Sequence, residues 1–419
     1  MNKIAYASIW LLVFSISSEP TFRGFGVVGS QVTGVLALAL AMVAFAASGR
    51  VRRFHPIHVA GLMFLMWTGF SLVFLNNGWM QVPNKFWTFI QLLAMMWMIW
   101  ELAVSRSRQL GLMAAYVLGA YIAALDTILL WRRQGEMMRR FAAGGVDNND
   151  LAMMLALAIP MAWYLSMTVR KPVLRLLFSA YVPCAILAIG LTGSRGGMVT
   201  AVVALLFIPI TVSKLSPLRR GIAIGLLWVS GIVAVTYLPE TLMERLASTR
   251  TEVEGGNMGG RMKIWKAGLR AFAARPLTGY GTAAFKRAVD PYLVTRAQVA
   301  HNSFLSVAVE EGLVGLIFYL SMFVLVFQAV RTLPTATERR FALVLLAALI
   351  ISMLTLTSEA SKRVWAILAI LVGMSQSRVI RRPGPRVLRG RQPIPAGAPP
   401  GWPGPRPPIG APVRRSDTQ

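Results

Sequence analysis

The chain has 419 residues, of which 56% are hydrophobic and only 14% are charged. A soluble domain of this length could not bury so much apolar side-chain surface, so the composition excludes an ordinary globular protein and favours one that crosses a membrane repeatedly. The formal net charge of +27 suits such a protein because cytoplasmic loops collect Lys and Arg, and we do not take it as a sign of nucleic-acid binding.

About twelve apolar stretches approach the length of about 20 residues that crosses a bilayer. The predicted spans lie near residues 4–18, 27–47, 57–75, 86–104, 110–130, 151–168, 174–191, 197–213, 221–238, 304–330, 341–357 and 363–377. With the N-terminus inside, most short loops rich in Lys and Arg fall in the cytoplasm, as the positive-inside rule requires. The sequence therefore predicts an all-α polytopic membrane protein with a membrane domain covering residues 1–377.

Two of the loops predicted to lie outside are basic. The loop 131–150 contains Arg132, Arg133, Arg139 and Arg140, and the loop 239–303 is the only long polar stretch inside the membrane domain. Long loops cross the membrane regardless of charge, so only the first loop departs from the rule. Arginines kept there favour an anionic ligand on the outer face, and the alternative is that one span has been miscounted.

The last segment, residues 378–419, is dense in Pro, Gly and Arg. Such a composition cannot bury a core, so we predict a disordered cytoplasmic tail without a catalytic role.

Two candidate elements precede the long loop. Asp147-Asn148-Asn149-Asp150 enters the sixth span, where it is a helix N-cap or a site for sugar hydroxyls. Gly193 and Ser194 precede Arg195 between two apolar spans. Small residues let backbone N–H groups approach a phosphate, and the guanidinium adds a bidentate fork. The alternative is a tight turn with one arginine at the lipid headgroups.

The long loop contains an amphipathic helix. Helical spacing puts Arg261, Trp265 and Leu269 on one side, as in a helix lying on the membrane surface, while Lys263 and Lys266 are expected to face solvent. The segment Arg-Pro-Leu-Thr-Gly-Tyr-Gly, residues 275–281, then ends the helix.

The loop closes with His301 and Asn302. A histidine with a pKa near neutrality at a membrane surface can act as a general base, although a lone histidine is more often structural. Downstream, Gly312 and Gly315 allow close helix packing. Three scattered histidines and one cysteine predict neither a metal site nor a disulfide.

Together and in this order, these motifs resemble the O-antigen ligase and polysaccharide polymerase superfamily of bacterial inner-membrane proteins. The matching elements are Asp-Asn-Asn-Asp-Leu-Ala at 147–152, Gly-Ser-Arg-Gly-Gly at 193–197, Arg261 with Trp265, Pro-Leu-Thr-Gly-Tyr-Gly at 276–281, and the stretch from His301 through Gly315. The resemblance covers roughly residues 30–375, and nothing in the family matches the tail.

The resemblance implies a membrane glycosyltransferase of the C-like fold, with one large periplasmic loop and a site that faces the periplasm. It implies metal-independent, inverting transfer from a glycan on undecaprenyl diphosphate to a hydroxyl of a glycan, of lipid A core or of a protein, without a cofactor. Arg195 and Arg261 would bind the diphosphate, and His301 would act on the acceptor hydroxyl. The expected substrate-binding residues nearby are Gly193, Ser194, Trp265 and Asn302.

The sequence does not determine the identity of the acceptor. Polymerases of this superfamily are described with Arg-x10-Gly pairs, and Arg133/Gly144, Arg245/Gly256 and Arg270/Gly281 have this spacing, which adds Arg133 and Arg270 to the candidate substrate-binding residues. In a chain rich in Gly and Arg such spacings arise by chance, so a ligase and a polymerase remain equally compatible. The alternative from another class is a flippase for the same lipid, which would favour internal repeats and discontinuous helices near the bilayer midplane. The sequence shows no repeat, and its polar residues cluster outside the spans.

Overall fold

The computed structural model describes residues 2–23, 29–49, 51–75, 82–135, 140–213, 215–237, 260–293 and 299–376. Within these ranges the regular structure is helical, with no strand. The predicted tail 378–419, the first part of the long loop and the Arg245/Gly256 pair lie outside the described residues.

Helices that coincide with the predicted spans form most of the structure. In chain order they are α1 (Asn2–Arg23), α2 (Gly29–Ser48), α3 (Pro56–Leu75), α4 (Val82–Leu102), α5 (Arg106–Gln134), α6 (Asn148–Thr168), α7 (Pro172–Thr192), α8 (Arg195–Leu205), α9 (Phe207–Val212) and α10 (Pro217–Tyr237). The long loop contributes α11 (Arg261–Ala274) and α12 (Phe285–Val289). The chain then continues through α13 (Ser303–Arg331), α14 (Ala336–Thr355) and α15 (Lys362–Ser375).

Each predicted span falls on one of these helices, or on α8 and α9 together for the span at 197–213. In the described part of the chain, seven helical segments are long and apolar enough to cross a membrane. They are α2, α5, α6, α7, α13, residues Pro56–Val73 of α3, and Arg195–Val212, which joins α8 and α9. The chain is therefore a multi-pass membrane protein, and the total of twelve spans stays a prediction.

The loops that the sequence assigns to one side of the membrane also contact one another. At the predicted cytoplasmic end, the Arg52 guanidinium donates hydrogen bonds to the carbonyls of Trp100 and Gln376. At the same end, Arg106 forms an ion pair with Glu338. The loops predicted to lie outside converge at the opposite end, where α6 begins. The alternation of helix ends therefore agrees with the predicted order of the spans.

The most buried helix is α6, in which every residue from Leu151 to Ser166 is buried. It packs against α5, α7, α8 and α14. Its N-terminus, capped by Asp147, therefore lies at the centre of the predicted outer end.

A backbone break interrupts α13 at Gly312, where φ is 64° and ψ is −167°. Broken helices at membrane depth need other partners for their backbone groups, because lipid offers none. The turn at residues 276–281 supplies them through hydrogen bonds from Tyr280 N to Val309 O (3.0 Å), Gly281 N to Glu310 O (2.8 Å), Leu313 N to Pro276 O (2.7 Å) and Val314 N to Leu277 O (3.4 Å).

The sequence predicted only close packing for the two glycines of this helix. Gly315 does pack closely, against Trp67, whereas Gly312 breaks the helix and admits the loop. Hydropathy alone did not locate the break because long apolar stretches flank Glu310, Glu311 and Gly312 on both sides.

We expect Gly279→Ala to destabilise this junction strongly. Gly279 has a φ of 71°, and an added Cβ would lie 2.4 Å from Glu310 O and 2.6 Å from Gly312 N, both backbone atoms. Strain at such a position costs on the order of 1–3 kcal/mol before the collision is counted. A thermal unfolding scan in detergent should show a lower Tm. The matched control is Gly135→Ala, which has a φ of 47° and nothing within 4 Å, and an equal drop in both variants would contradict the docked turn.

Candidate functional site

The turn between α7 and α8 sets the position of Arg195. Gly193 ends α7 with a left-handed φ of 58°, which glycine adopts without strain. Ser194 then caps α8, since its Oγ accepts from Gly197 N at 3.2 Å and donates to Asn149 Oδ1 at 2.8 Å. Arg195 is thus the first residue of a helix that is tied to the start of α6.

Two glycines after Arg195 bring three helices together. An added Cβ at Gly197 would lie 2.3 Å from Ala152 Cβ of α6, and one at Gly196 would lie 2.8 Å from Thr355 Oγ1 of α14. The Gly-Gly pair therefore allows a close approach that any side chain would prevent, and it holds Arg195 where α6, α8 and α14 meet.

Arg261 begins α11, which packs through a short apolar stripe. Its buried residues are Ile264, Ala267, Gly268 and Ala271, which belong to a small core shared with α12 and α13. Leu269, expected to share a side with Arg261 and Trp265, is 59% exposed, so packing involves the neighbouring face. The Trp265 indole donates to Ala300 O at 2.9 Å and fixes α11 against the segment before His301.

His301 sits in a tightly held turn. Its φ of 49° is uncommon for a residue other than glycine, and its backbone N–H donates to Thr357 Oγ1 at 2.8 Å. Asn302 caps α13 by accepting from Leu305 N at 3.0 Å. Ser303 Oγ donates to Leu356 O at 2.8 Å, which ties this turn to the segment between α14 and α15. A non-glycine residue held at positive φ by several contacts is typical of functional sites.

The charges of these segments act on one another. Burial lowers the pKa of Arg261, Asp147 raises it, and the nearby charge of Arg195 lowers it. Burial also lowers the pKa of His301, as does the charge of Arg261, while Asp147 opposes both. Residues far apart in sequence therefore share one electrostatic environment, in which two guanidinium groups favour a ligand of multiple negative charge.

The His301 imidazole is half-buried and has the properties of a base. Its Nδ1 is buried and has no hydrogen-bond partner among the described residues. A lowered pKa keeps the ring neutral near pH 7, and a neutral imidazole has one nitrogen that accepts a proton.

The pH dependence of activity should follow the protonation of His301. Because the pKa of His301 lies below 6.5, activity should persist at neutral pH and be lost as the pH falls below that value. Asp147→Asn removes the carboxylate that raises this pKa, so the acid limb of kcat/KM should move to still lower pH, while asparagine keeps the N-cap. The control is the exposed Asp290→Asn, with an unchanged limb. A wild-type limb at or above pH 6.5 would contradict this assignment.

Arg133 and Arg270, the two candidates taken from the Arg-x10-Gly spacing, are exposed. Lys263 and Lys266 are exposed, as predicted.

Arg140, from the basic loop 131–150, lies beside the turn that holds Arg195. Its Nε donates to Thr192 O at 2.7 Å and its Nη2 to Asn149 Oδ1 at 3.4 Å, beside Ser194. The sequence pattern includes Arg140 among the arginines of the loop 131–150 but does not distinguish it from the others. Its position a few residues before the Asp-Asn-Asn-Asp element was the available signal.

A buried ion network lies behind the site, and it was not predicted. Lys85 Nζ is 2.5 Å from Glu310 Oε2 and 2.7 Å from Glu359 Oε1. Ser306 Oγ also donates to Glu359 at 3.0 Å, and Ala283 N donates to Glu310 at 3.1 Å. The network joins α4, the broken helix α13 and the segment after α14. Buried charges in a membrane protein are rare and usually functional.

Comparison with known families places this geometry in context. Residues 180–320 match the family model described as O-antigen ligase, a region that includes Arg195, Arg261, His301 and the break in α13. No curated protein matches the chain. The match covers four of the five elements on which the resemblance rests, and the Asp-Asn-Asn-Asp-Leu-Ala stretch at 147–152 lies outside it. The match, which covers about a third of the chain, confirms the resemblance to the O-antigen ligase superfamily inferred from its motifs.

Proposed function

We propose that this protein is an inner-membrane glycosyltransferase that moves a glycan from undecaprenyl diphosphate to an acceptor hydroxyl during surface polysaccharide assembly. The family itself suggests a membrane transferase that uses lipid-linked glycans. The observation that carries the proposal is the shared electrostatic environment of Arg195, Arg261 and His301, which come from three separate segments.

The donor diphosphate would lie between Arg195 and Arg261. Both arginines begin helices of more than two turns, α8 and α11, and helix N-termini attract anions through their unpaired N–H groups. Negative charge builds on the diphosphate as its bond to the sugar breaks. Two guanidinium groups already in place stabilise that charge most in the transition state.

The acceptor reacts on the His301 side. An acceptor oxygen forms a bond to the anomeric carbon as the bond from that carbon to the diphosphate oxygen breaks, which inverts the configuration. The hydroxyl proton passes to His301 and then to solvent, and undecaprenyl diphosphate leaves. A half-buried imidazole whose lowered pKa keeps it neutral has one ring nitrogen that can accept this proton.

The topology has its own test. The alternation of basic loops favours a site on the periplasmic face, with both ends of the membrane domain in the cytoplasm. Reporter fusions after Arg53 and after Glu254 should therefore report opposite sides of the inner membrane. The same side for both fusions would contradict this map.

Transfer by the purified protein tests the function directly. The assay combines labelled undecaprenyl-diphosphate glycan in nanodiscs with lipid A core, a second copy of the lipid-linked glycan, or an acceptor protein. We expect a product of inverted configuration, and full activity in the presence of a chelator. Loss of activity on chelation would overturn the metal-independent reaction. Translocation of the lipid across vesicles without transfer would instead support a flippase.

A further inference from the structure

A cavity of about 420 Å³ lies between the last part of α6 and the first turns of α7 and α10. Volumes of roughly 300–1,000 Å³ are typical of small-molecule sites. Its α6 wall is formed by Trp163, Ser166 and Met167. Along α6, Ser166 is ~24 Å from Asp150 at about 1.5 Å per residue. The cavity is therefore at the opposite end of the helices from His301 and is not part of the candidate active site.

The charge of this cavity is positive. Among the described residues that line it, two are arginines, Arg175 of α7 and Arg219 of α10, and none is acidic. Neither arginine forms an ion pair with a described residue. Two like charges that face one space repel each other, and an anion between them removes that cost. The cavity therefore favours a negatively charged ligand.

The Arg175 guanidinium has a donor that the fold does not use. Its Nη2 is 3.4 Å from the carbonyl oxygens of Val169 and Arg170, beyond the roughly 2.7–3.2 Å of a typical N–H···O bond. Its Nε is buried and has no hydrogen-bond partner among the described residues. A buried donor left unpaired costs free energy that an acceptor in the cavity would recover. Phosphate suits this position because a guanidinium pairs two donors with two of its oxygens.

Two helices begin at the cavity and add to its attraction for anions. Pro172 is the first residue of α7, and Leu218 and Arg219 belong to the first turn of α10. Each of these helices has 21 residues. The N-terminus of a helix attracts anions through its dipole and its unpaired N–H groups. The arginines and the helix ends therefore act on the same space with the same sign.

The rim of the cavity is apolar. Leu176, Leu218 and Ile222 line it and are exposed, Leu218 by 76%. A water-soluble phosphate would leave these side chains uncovered, whereas the acyl chains of a phospholipid would cover them. Basic pockets between membrane helices bind anionic lipid headgroups by this combination of cations and apolar surface.

We propose that this cavity binds the phosphate headgroup of an anionic phospholipid, in the leaflet opposite to His301. That leaflet is the cytoplasmic one in the predicted topology. In the described part of the chain α10 packs mainly against α7. A headgroup held by both Arg175 and Arg219 adds a second connection between these helices, and the lipid thereby stabilises the position of α10.

Binding of defined lipids to the full-length protein tests the proposal. Delipidated protein in detergent is titrated with phosphatidylglycerol, with phosphatidylcholine of the same acyl chains, and with inorganic phosphate, and native mass spectrometry counts the bound molecules. We expect a Kd for phosphatidylglycerol at least about 10-fold lower than for the other two. Phosphatidylglycerol should also raise the Tm, since a ligand of the folded state stabilises it. Neither measurement requires glycan transfer, so the result is independent of the proposed function.

Two double variants that lose equal charge separate the cavity from the basic surface around it. Arg175→Gln with Arg219→Gln should raise the Kd for phosphatidylglycerol at least about 10-fold and abolish the rise in Tm, because both guanidinium groups are lost. The matched control is Arg170→Gln with Lys171→Gln, which removes two exposed cations of the adjacent loop. Its Kd should change by about 3-fold or less, since salt screens exposed charges.

A single variant keeps the test decisive if the cavity double variant does not fold. The Arg219 side chain has no hydrogen bond to a described residue, so Arg219→Gln removes charge without removing a contact of the fold. The Kd for phosphatidylglycerol should still rise by about 3-fold or more.

Three results would overturn the proposal. Equal affinity for phosphatidylcholine would show that the cavity does not select a negative headgroup. Inorganic phosphate bound as tightly as phosphatidylglycerol would show that the ligand is a soluble phosphate. An equal rise of Kd in the control and in the cavity double variant would assign binding to the basic surface in general.

Discussion

His301→Ala is expected to reduce glycan transfer by at least about 100-fold, because a positioned general base contributes roughly 10²–10⁴ in rate. Donor affinity should stay nearly unchanged, since the imidazole acts on the acceptor hydroxyl and not on the diphosphate. The measurements are kcat for transfer and the Kd of labelled undecaprenyl-diphosphate glycan, each on the purified variant. A large loss of kcat with an unchanged Kd for the donor distinguishes a general base from a residue that only supports the fold.

A second histidine provides the control. His55 lies at the predicted cytoplasmic end, where its Nδ1 accepts from Ile57 N, so His55→Ala should transfer glycan at the wild-type rate. If His301→Ala kept wild-type turnover, or lost donor binding together with turnover, the base role would be wrong.

Arg195→Lys and Arg261→Lys should each lose activity by on the order of 10-fold or more, at least about 1.4 kcal/mol of transition-state stabilisation. Lysine preserves the charge, but only the planar guanidinium pairs two donors with two oxygens of one phosphate. Steady-state transfer rates at saturating donor measure this loss.

Two lysines on the same loop helix serve as controls for charge. Lys263 and Lys266 are exposed on α11, so Lys263→Ala and Lys266→Ala should leave the transfer rate nearly unchanged. Full activity in Arg195→Lys would show that a point charge suffices and would remove the bidentate contact from the mechanism.

The helices could be predicted from the sequence because hydropathy is a local property. The run that forms α6, for example, is apolar throughout and is preceded by an Asp that caps it. The meeting of Arg195, Arg261 and His301 was also predictable, since all three lie at span ends or in a loop assigned to the same face. Successive spans alternate in direction, so their order along the chain is enough to assign such residues to one end of a helical bundle.

Other features depend on contacts between distant segments. Lys85 pairs with Glu310 and Glu359, which are 225 and 274 residues away, so no local pattern in the sequence indicates these ion pairs. The Arg-x10-Gly spacing singled out Arg133, whereas Arg140 contacts the turn before Arg195. Spacing along the sequence does not tell which arginine of a loop reaches the site. That depends on how the loop folds against the helices.

The junction between the 276–281 turn and α13 has a consequence for engineering. The simplest chimaera that exchanges the loop with that of a relative, to redirect which polysaccharide is built, would be cut at the membrane boundary before His301. Here that cut would separate the turn from Val309, Glu310 and Leu313, the residues with which it shares backbone hydrogen bonds. A loop grafted without its own α13 would have to form the same backbone hydrogen bonds with the broken helix of another protein. The smallest transferable module therefore begins at α11 and extends into the membrane, at least to Val314.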